Sequence, residues 1–304
     1  MSSRVMEGKV VVVTGAGRGI GRAIALLMAE HGAKVVVNDP GVSVHGEAQA
    51  ERPAEEVAGL IRSQGGEAVA SMESVAEWSS ARRIVETAID TYGTVDCIVN
   101  NAGILRDRIF HQMSPEEFEA VLRVHLFGSF NVSRAAAEHF KEHKKGAFVH
   151  MTSTSGLIGS IGQANYAAAK LGIVGLSKSI AMDMARYEVR SNCISPFAWS
   201  RMIGSIPEGP GSEERLAKVK LLTPESIAPL AVCLGSDLAK GVSGQIFAVR
   251  RNEVFLMSQP RPIRSMHRGE GWTPEALAEH AMPAFSQNFV PLERSTNVFS
   301  WDPV

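Results

Sequence analysis

The chain has 304 residues and a formal net charge of −1; that length permits two domains, but no linker composition, repeat or low-complexity tract divides it. The charge balance gives no reason to expect a nucleic-acid or membrane surface, and no apolar run approaches a membrane span. Cys97, Cys193 and Cys233 are scattered among apolar residues, so reduced thiols are expected rather than disulfides or a metal site, and termini without a leader or address suggest a cytoplasmic protein.

Lys9-Val10-Val11-Val12-Val13-Thr14 is an apolar run suited to a strand buried on both faces. Gly15-Ala16-Gly17-Arg18-Gly19-Ile20-Gly21 follows, then a helical pattern from Arg22 to Glu30. Strand, glycine loop and helix together predict a nucleotide site. Glycines let backbone approach a dinucleotide, and the helix start offers free N–H groups and a positive dipole end to a pyrophosphate. Gly15, Arg18, Gly19, Ile20 and Gly21 are therefore candidate cofactor contacts. A second buried strand, Lys34 to Asn38, ends in Asp39. An acid there suits the ribose hydroxyls of NAD and repels the 2′-phosphate of NADP. Arg18 pulls the other way, since it is able to hold a phosphate, and Asp39 also reads as a turn residue before Pro40-Gly41.

After a polar stretch over 42–53, a helix is expected over 54–64 and a short strand over 67–72. Val95 to Val99 reads as strand four and delivers Asn100-Asn101-Ala102-Gly103 to the carboxyl edge of the sheet, where ligands bind at the topological switch point. Asn101 is able to bond backbone or ribose, and Ala102 and Gly103 permit close approach. A long helix is predicted over 115–143. His139 and His143 lie four apart on it among basic neighbours and read as solvated rather than metal-binding.

Ala147 to Thr152 is strand five, ending at Ser153. Thr152, Thr154 and Ser155 compete with Ser153 on chemistry alone. Tyr166 and Lys170 stand at i and i+4 on the next helix, so the ammonium lies near the phenol. A phenol starts at about 10, and bringing it near neutrality takes roughly 4 kcal/mol of preferential phenolate stabilisation. A nearby lysine cation and an oxidised nicotinamide are perturbations of the right sign. The helix runs to about Ala185, apolar nearly all round, and must bury more than one face.

Asn192 to Pro196 is strand six. Residues 201–223, with Pro207, Gly209, Pro210 and Gly211, have the composition of a lid over substrate. A helix from Glu225 to Leu234 and a last strand from Gly244 to Val249 follow. In the tail, Thr273-Pro274 starts a helix. Arg261, Arg264, His267 and Arg268 read as a solvated basic face more readily than as a CoA-phosphate site. Trp272 and Trp301 suggest that the tail docks on the body or on a neighbouring subunit.

Thr14-Gly15-x-x-x-Gly19-x-Gly21, Asn100-Asn101-Ala102-Gly103, Ser153 and Tyr166-x-x-x-Lys170 resemble, in order and spacing, the classical short-chain dehydrogenase/reductase family. The resemblance runs from about Gly8 to Val249. A narrower one, carried by Val35 to Gly41, Asn101 to Arg108, Val124 to Phe130, Gly162 to Tyr166 and Ser200-Arg201-Met202, is to the (3R)-hydroxyacyl-CoA dehydrogenase domains of peroxisomal multifunctional enzymes of type 2. The resemblance implies an α/β Rossmann-type doubly wound parallel sheet, one domain over 8–250 with a C-terminal extension over 251–304. It assigns catalysis to Ser153, Tyr166 and Lys170, with Tyr166 and Lys170 also touching the cofactor. Glu73-Ser74-Val75 stands where relatives have Asp-x-Val against the adenine, with helix capping as the alternative.

Pro196 precedes Phe197 where relatives have glycine, and Ser200 takes the place of a threonine that holds the carboxamide. His125 stands where relatives have an asparagine that supports the lysine through a water. It thus becomes a candidate for a proton relay. Packing of the Tyr166 helix against its twin implies a homodimer or homotetramer. The implied activity is NAD-dependent oxidation of a secondary alcohol, a small-molecule substrate that is most readily a fatty or steroid-derived 3-hydroxyacyl-CoA in β-oxidation. A free hydroxysteroid dehydrogenase, a 3-ketoacyl reductase and a noncatalytic NAD(H)-sensing protein are the alternatives.

Overall fold

The computed structural model describes residues 4–47, 50–198 and 221–303. Strands β1 (Val10–Thr14), β2 (Lys34–Asn38), β3 (Glu67–Ser71), β4 (Cys97–Asn100), β5 (Gly146–Met151), β6 (Val189–Phe197), β7 (Ile246–Arg250) and β8 (Glu253–Leu256) form one sheet in the order β3-β2-β1-β4-β5-β6-β7-β8. All neighbours pair in parallel except β7 with β8. Strand order reverses direction between β1 and β4, so the carboxyl ends of those strands open a crevice. The fold is a Rossmann-type α/β sheet, as expected.

The two faces of β1 show how the apolar runs are used. Val11 and Val13 join Val35, Val37, Ile24 and Met28 on one side. Val10 and Val12 join Val36, Ile84, Phe140 and Phe148 on the other. Helices α1 (Gly19–Glu30) and α2 (Pro53–Ser63) supply the first face, and α3 (Trp78–Tyr92) and α5 (Gly128–His143) the second. A strand covered on both sides cannot alternate polar and apolar residues, which is why it reads as unbroken valine.

Three departures from the sequence reading matter. The helix expected over 115–143 is α4 (Pro115–Leu122) and α5 joined by a π-helical turn, Arg123–Phe127. Helix α3 was not among the expected elements, although Ala81, Ile84, Val85 and Ala88 give it a buried stripe. Finally, the tail begins with a strand: Arg251, at φ 57°, turns the chain back and Glu253–Leu256 pairs antiparallel with β7.

The last residues return to this edge. Phe299 meets Phe197 and Phe255 at centroid distances of 4.8 and 5.2 Å, and Trp301 Nε1 donates to Glu253 at 2.7 Å. Between them, Thr273 caps a short helical turn as expected, accepting from Ala276 N–H at 3.2 Å.

Candidate active site

A cleft of about 540 Å³ follows the carboxyl ends of β1, β2 and β4 to the start of α7 (Ala164–Asp183). It is lined by Gly15, Arg18, Gly19, Ile20, Asp39, Ser74, Val75, Asn101, Ala102, Gly103, Tyr166, Lys170 and Pro196. Residues separated by up to 181 positions in the chain thus meet because parallel strands deliver their ends to one edge.

At one end, Asp39 closes the strand β2 turn. Its Oδ2 accepts from Gly17 N–H at 3.0 Å and its Oδ1 from Gly41 N–H at 2.9 Å. It is therefore both the turn residue and a carboxylate on the cleft wall, and the two readings of it do not compete. Arg18 lines the same end and pairs with Glu51. Gly21, a predicted contact, is not in the lining. A Cβ there would lie 2.2 Å from the Gly15 carbonyl oxygen, so this glycine is needed for packing of α1 against the loop.

Glu73 also departs from its expected place. Arg83 takes its carboxylate in a two-pronged pair at 2.8 and 2.6 Å, which holds the Glu73 carboxyl below its ordinary value. Ser74 and Val75 face the cleft without it. Asn101 donates from Nδ2 to the carbonyls of Thr14 and Gly15 at 3.0 and 3.1 Å, clamping β4 to the glycine loop. Thr14, not singled out from sequence, completes the clamp by accepting from the N–H groups of Asn101 and Ala102. Ser200 and the expected lid over 201–220 lie outside the described residues.

At the other end stand Tyr166 and Lys170. Lys170 is buried and its ammonium donates to the Met151 carbonyl at 2.6 Å, while Nζ lies 5.5 Å from the Tyr166 ring centre. Burial pushes the Lys170 ammonium down to about 7. Burial pushes the Tyr166 phenol up to about 12, against the Ser153 side chain, which acts to lower it. The expectation that Lys170 draws the phenol towards neutrality is thus not met by these two groups alone. Loss of hydration outweighs the lowering by Ser153, and a further positive charge beside the phenol would act in the lowering direction. Ser153 sits just before the short α6 (Thr154–Leu157), where its hydroxyl accepts from Ser155 N–H at 3.1 Å. Of the hydroxyl candidates, Ser153 is the one whose side chain acts on the phenol, whereas Thr152 donates to the Lys170 carbonyl at 2.7 Å.

Asn165 positions this end and was missed as a site residue. Fully buried, it donates to the carbonyls of Arg106 and Glu117 at 2.8 and 3.1 Å and accepts from Tyr166 N–H at 2.7 Å. The signal was present: a short polar side chain at a helix start satisfies backbone groups there. His125, within the π-helical turn, has Nε2 2.8 Å from the Ile104 carbonyl oxygen and 3.1 Å from its nitrogen. Burial and the nearby Lys170 charge push its imidazole down to about 3, so the ring is neutral. A Cβ on Gly103 would fall 2.3 Å from His125 Cε1, which makes glycine necessary for this contact.

The donors at the start of α1, the Gly15–Gly19 backbone and the Asp39 carboxylate on one wall fit a nicotinamide dinucleotide laid along the cleft. The family model described as short chain dehydrogenase matches residues 9–202. The chain belongs to that family. Peroxisomal multifunctional enzyme type 2 of Mus musculus is 41% identical over 277 residues, 90% of this chain and 36% of that protein, so the chain spans about a third of that relative's length. The hydroxyacyl-CoA dehydrogenase ChsB1 of Mycobacterium tuberculosis is 38% identical over 281 residues, 90% of this chain and 87% of the relative. A short chain dehydrogenase from Mycobacterium avium, solved by crystallography, superposes with a TM-score of 0.82 at 38% identity, covering 94% of this chain and 97% of that one.

Proposed function

We propose that the protein is an NAD-dependent dehydrogenase that oxidises the 3-hydroxyl of an acyl-CoA, fatty or steroid-derived, to the ketone. The observation that carries the reaction type is the trio at one end of the cleft. The Ser153 side chain acts to lower the Tyr166 phenol, and Lys170 is buried with its Nζ 5.5 Å from the Tyr166 ring centre and its ammonium on Met151. Tyr166 takes the substrate hydroxyl proton, Ser153 holds the same oxygen, and Lys170 supplies positive charge behind the phenol. A bound oxidised nicotinamide would supply the hydride acceptor and a further positive charge of the sign that lowers the phenol. Gly15, Arg18, Gly19, Ile20, Ser74, Val75, Asn101, Ala102, Gly103 and Pro196 are the residues that would hold it, and Asp39 favours NAD over NADP by its charge.

The acyl-CoA part of the reading is supported by the relative named hydroxyacyl-CoA dehydrogenase, which this chain matches over most of both lengths. Leu171 and Met182 stand exposed on α7, which supports packing of that helix in a homodimer or homotetramer. No helix of the described residues is long and apolar enough to cross a membrane, and the three free cysteines suit a reducing compartment such as the cytoplasm. The test is NAD reduction, followed by near-ultraviolet absorbance, with both enantiomers of straight-chain, branched and steroid-derived 3-hydroxyacyl-CoAs beside the matching CoA-free alcohols. Preference for a CoA ester supports the reading. Equal or better turnover of the free alcohol moves it to a hydroxysteroid dehydrogenase.

A further inference from the structure

Arg106 carries a charged side chain that makes no hydrogen bond or ion pair among the described residues. Every neighbour in its segment is committed. Leu105 N–H donates to the Val44 carbonyl at 2.9 Å, Asp107 accepts from Gln163 at 2.8 Å, and Arg108 pairs with Glu117 at 3.0 Å. The Arg106 carbonyl is fixed by Asn165. Its side chain instead lines the cleft, with Nε buried and without a hydrogen-bond partner among the described residues. The other cations on the cleft wall are engaged: Arg18 with Glu51, Arg123 with Glu119, and Lys170 with the Met151 carbonyl. Glu117, an acid that feels the Arg106 charge, is already bonded to Arg108 and to Ser114 N–H.

A cation on the cleft wall whose fork makes no hydrogen bond among the described residues is open to a ligand anion. A planar, permanently charged fork mounted on a clamped loop matches the oxygens of a phosphate. We propose that Arg106 receives a phosphate group of the ligand bound in the cleft. The identity of that ligand rests on the function proposed above, under which both the dinucleotide and the acyl-CoA carry phosphates. The start of α1 already offers N–H groups to the dinucleotide, so the CoA portion of the substrate is the expected source.

The test uses the wild type, Arg106→Gln and Arg106→Lys. Each is titrated calorimetrically with NADH, then, saturated with NADH, with coenzyme A and with pantetheine, its phosphate-free part. The expected result is roughly tenfold weaker coenzyme A binding in Arg106→Gln, partial recovery in Arg106→Lys, and unchanged NADH and pantetheine affinities. Weaker NADH binding with coenzyme A unchanged supports the phosphate contact and assigns it to the dinucleotide. Unchanged affinity for both overturns it. Should Arg106→Gln fold poorly, Arg106→Lys decides alone, since loss of the fork weakens a phosphate contact and leaves any other role of the charge intact. A wild type that binds no coenzyme A refutes the substrate class, while the NADH titrations still test Arg106.

Discussion

The His125 ring stands edge-on against the Tyr166 ring, with centroids 5.2 Å apart and planes at 89°. The π-helical turn places it there, and the bond to Ile104 locks it. Such turns are uncommon in helices and frequent at functional sites. With Nε2 committed to Ile104, the neutral imidazole forms a wall that fixes the phenol's position. His125→Ala is expected to lower kcat by about tenfold or more with little change in NADH affinity, because misplacing the proton acceptor affects the reacting geometry rather than binding. Steady-state kinetics beside an NADH titration checks this. An unchanged kcat removes His125 from the site's working parts.

Two buried imidazoles also set the acid response. His125 and His150 are both pushed down to about 3 by burial, with Lys170 adding to the effect. In the unfolded chain each takes up a proton near 6.5, so below that pH the unfolded state binds more protons. The imidazole contribution is therefore complete above about 6.5 and is lost as pH drops towards 3, by up to about 1.4 kcal/mol per pH unit for each imidazole. Urea midpoints measured at pH 7 and pH 5 test this. His150→Gln should flatten the difference, and equal midpoints in the wild type would contradict the assignment.

Asp39 joins fold and selectivity in one side chain. Replacing it by alanine removes the acceptors of Gly17 and Gly41 as well as the charge on the cleft wall. Asp39→Ala should weaken NAD by roughly tenfold and raise turnover with NADP relative to NAD. The ratio of kcat/KM values for the two cofactors reads it directly. A ratio identical to the wild type would mean that Asp39 serves the turn alone.

Much of this site is legible in the sequence because it rests on local patterns. The valine run of β1, the glycine loop and the 166/170 spacing each lie within one element or its edge, where periodicity speaks. What was illegible depends on distant partners. Glu73 leaves its expected place because Arg83, one helix turn into α3, takes its carboxylate. The strand β8 is four residues long and exists through pairing with β7. A π-helical turn of five residues is too short to show a period of its own, so His125 marks it only in three dimensions. Arg106 looks like one charge in a charged run until Asp107 and Arg108 are seen to have found partners.

Under the proposed function, Tyr166 moves the proton for NAD-dependent oxidation of a 3-hydroxyacyl-CoA. NAD reduction by the wild type and by Tyr166→Phe with that substrate tests it most directly. NADH binding, measured alongside, shows that the variant's cleft is intact. The expected result is a loss of turnover on the order of a hundredfold or more in the variant with NADH affinity unchanged. Wild-type turnover retained by Tyr166→Phe would contradict it.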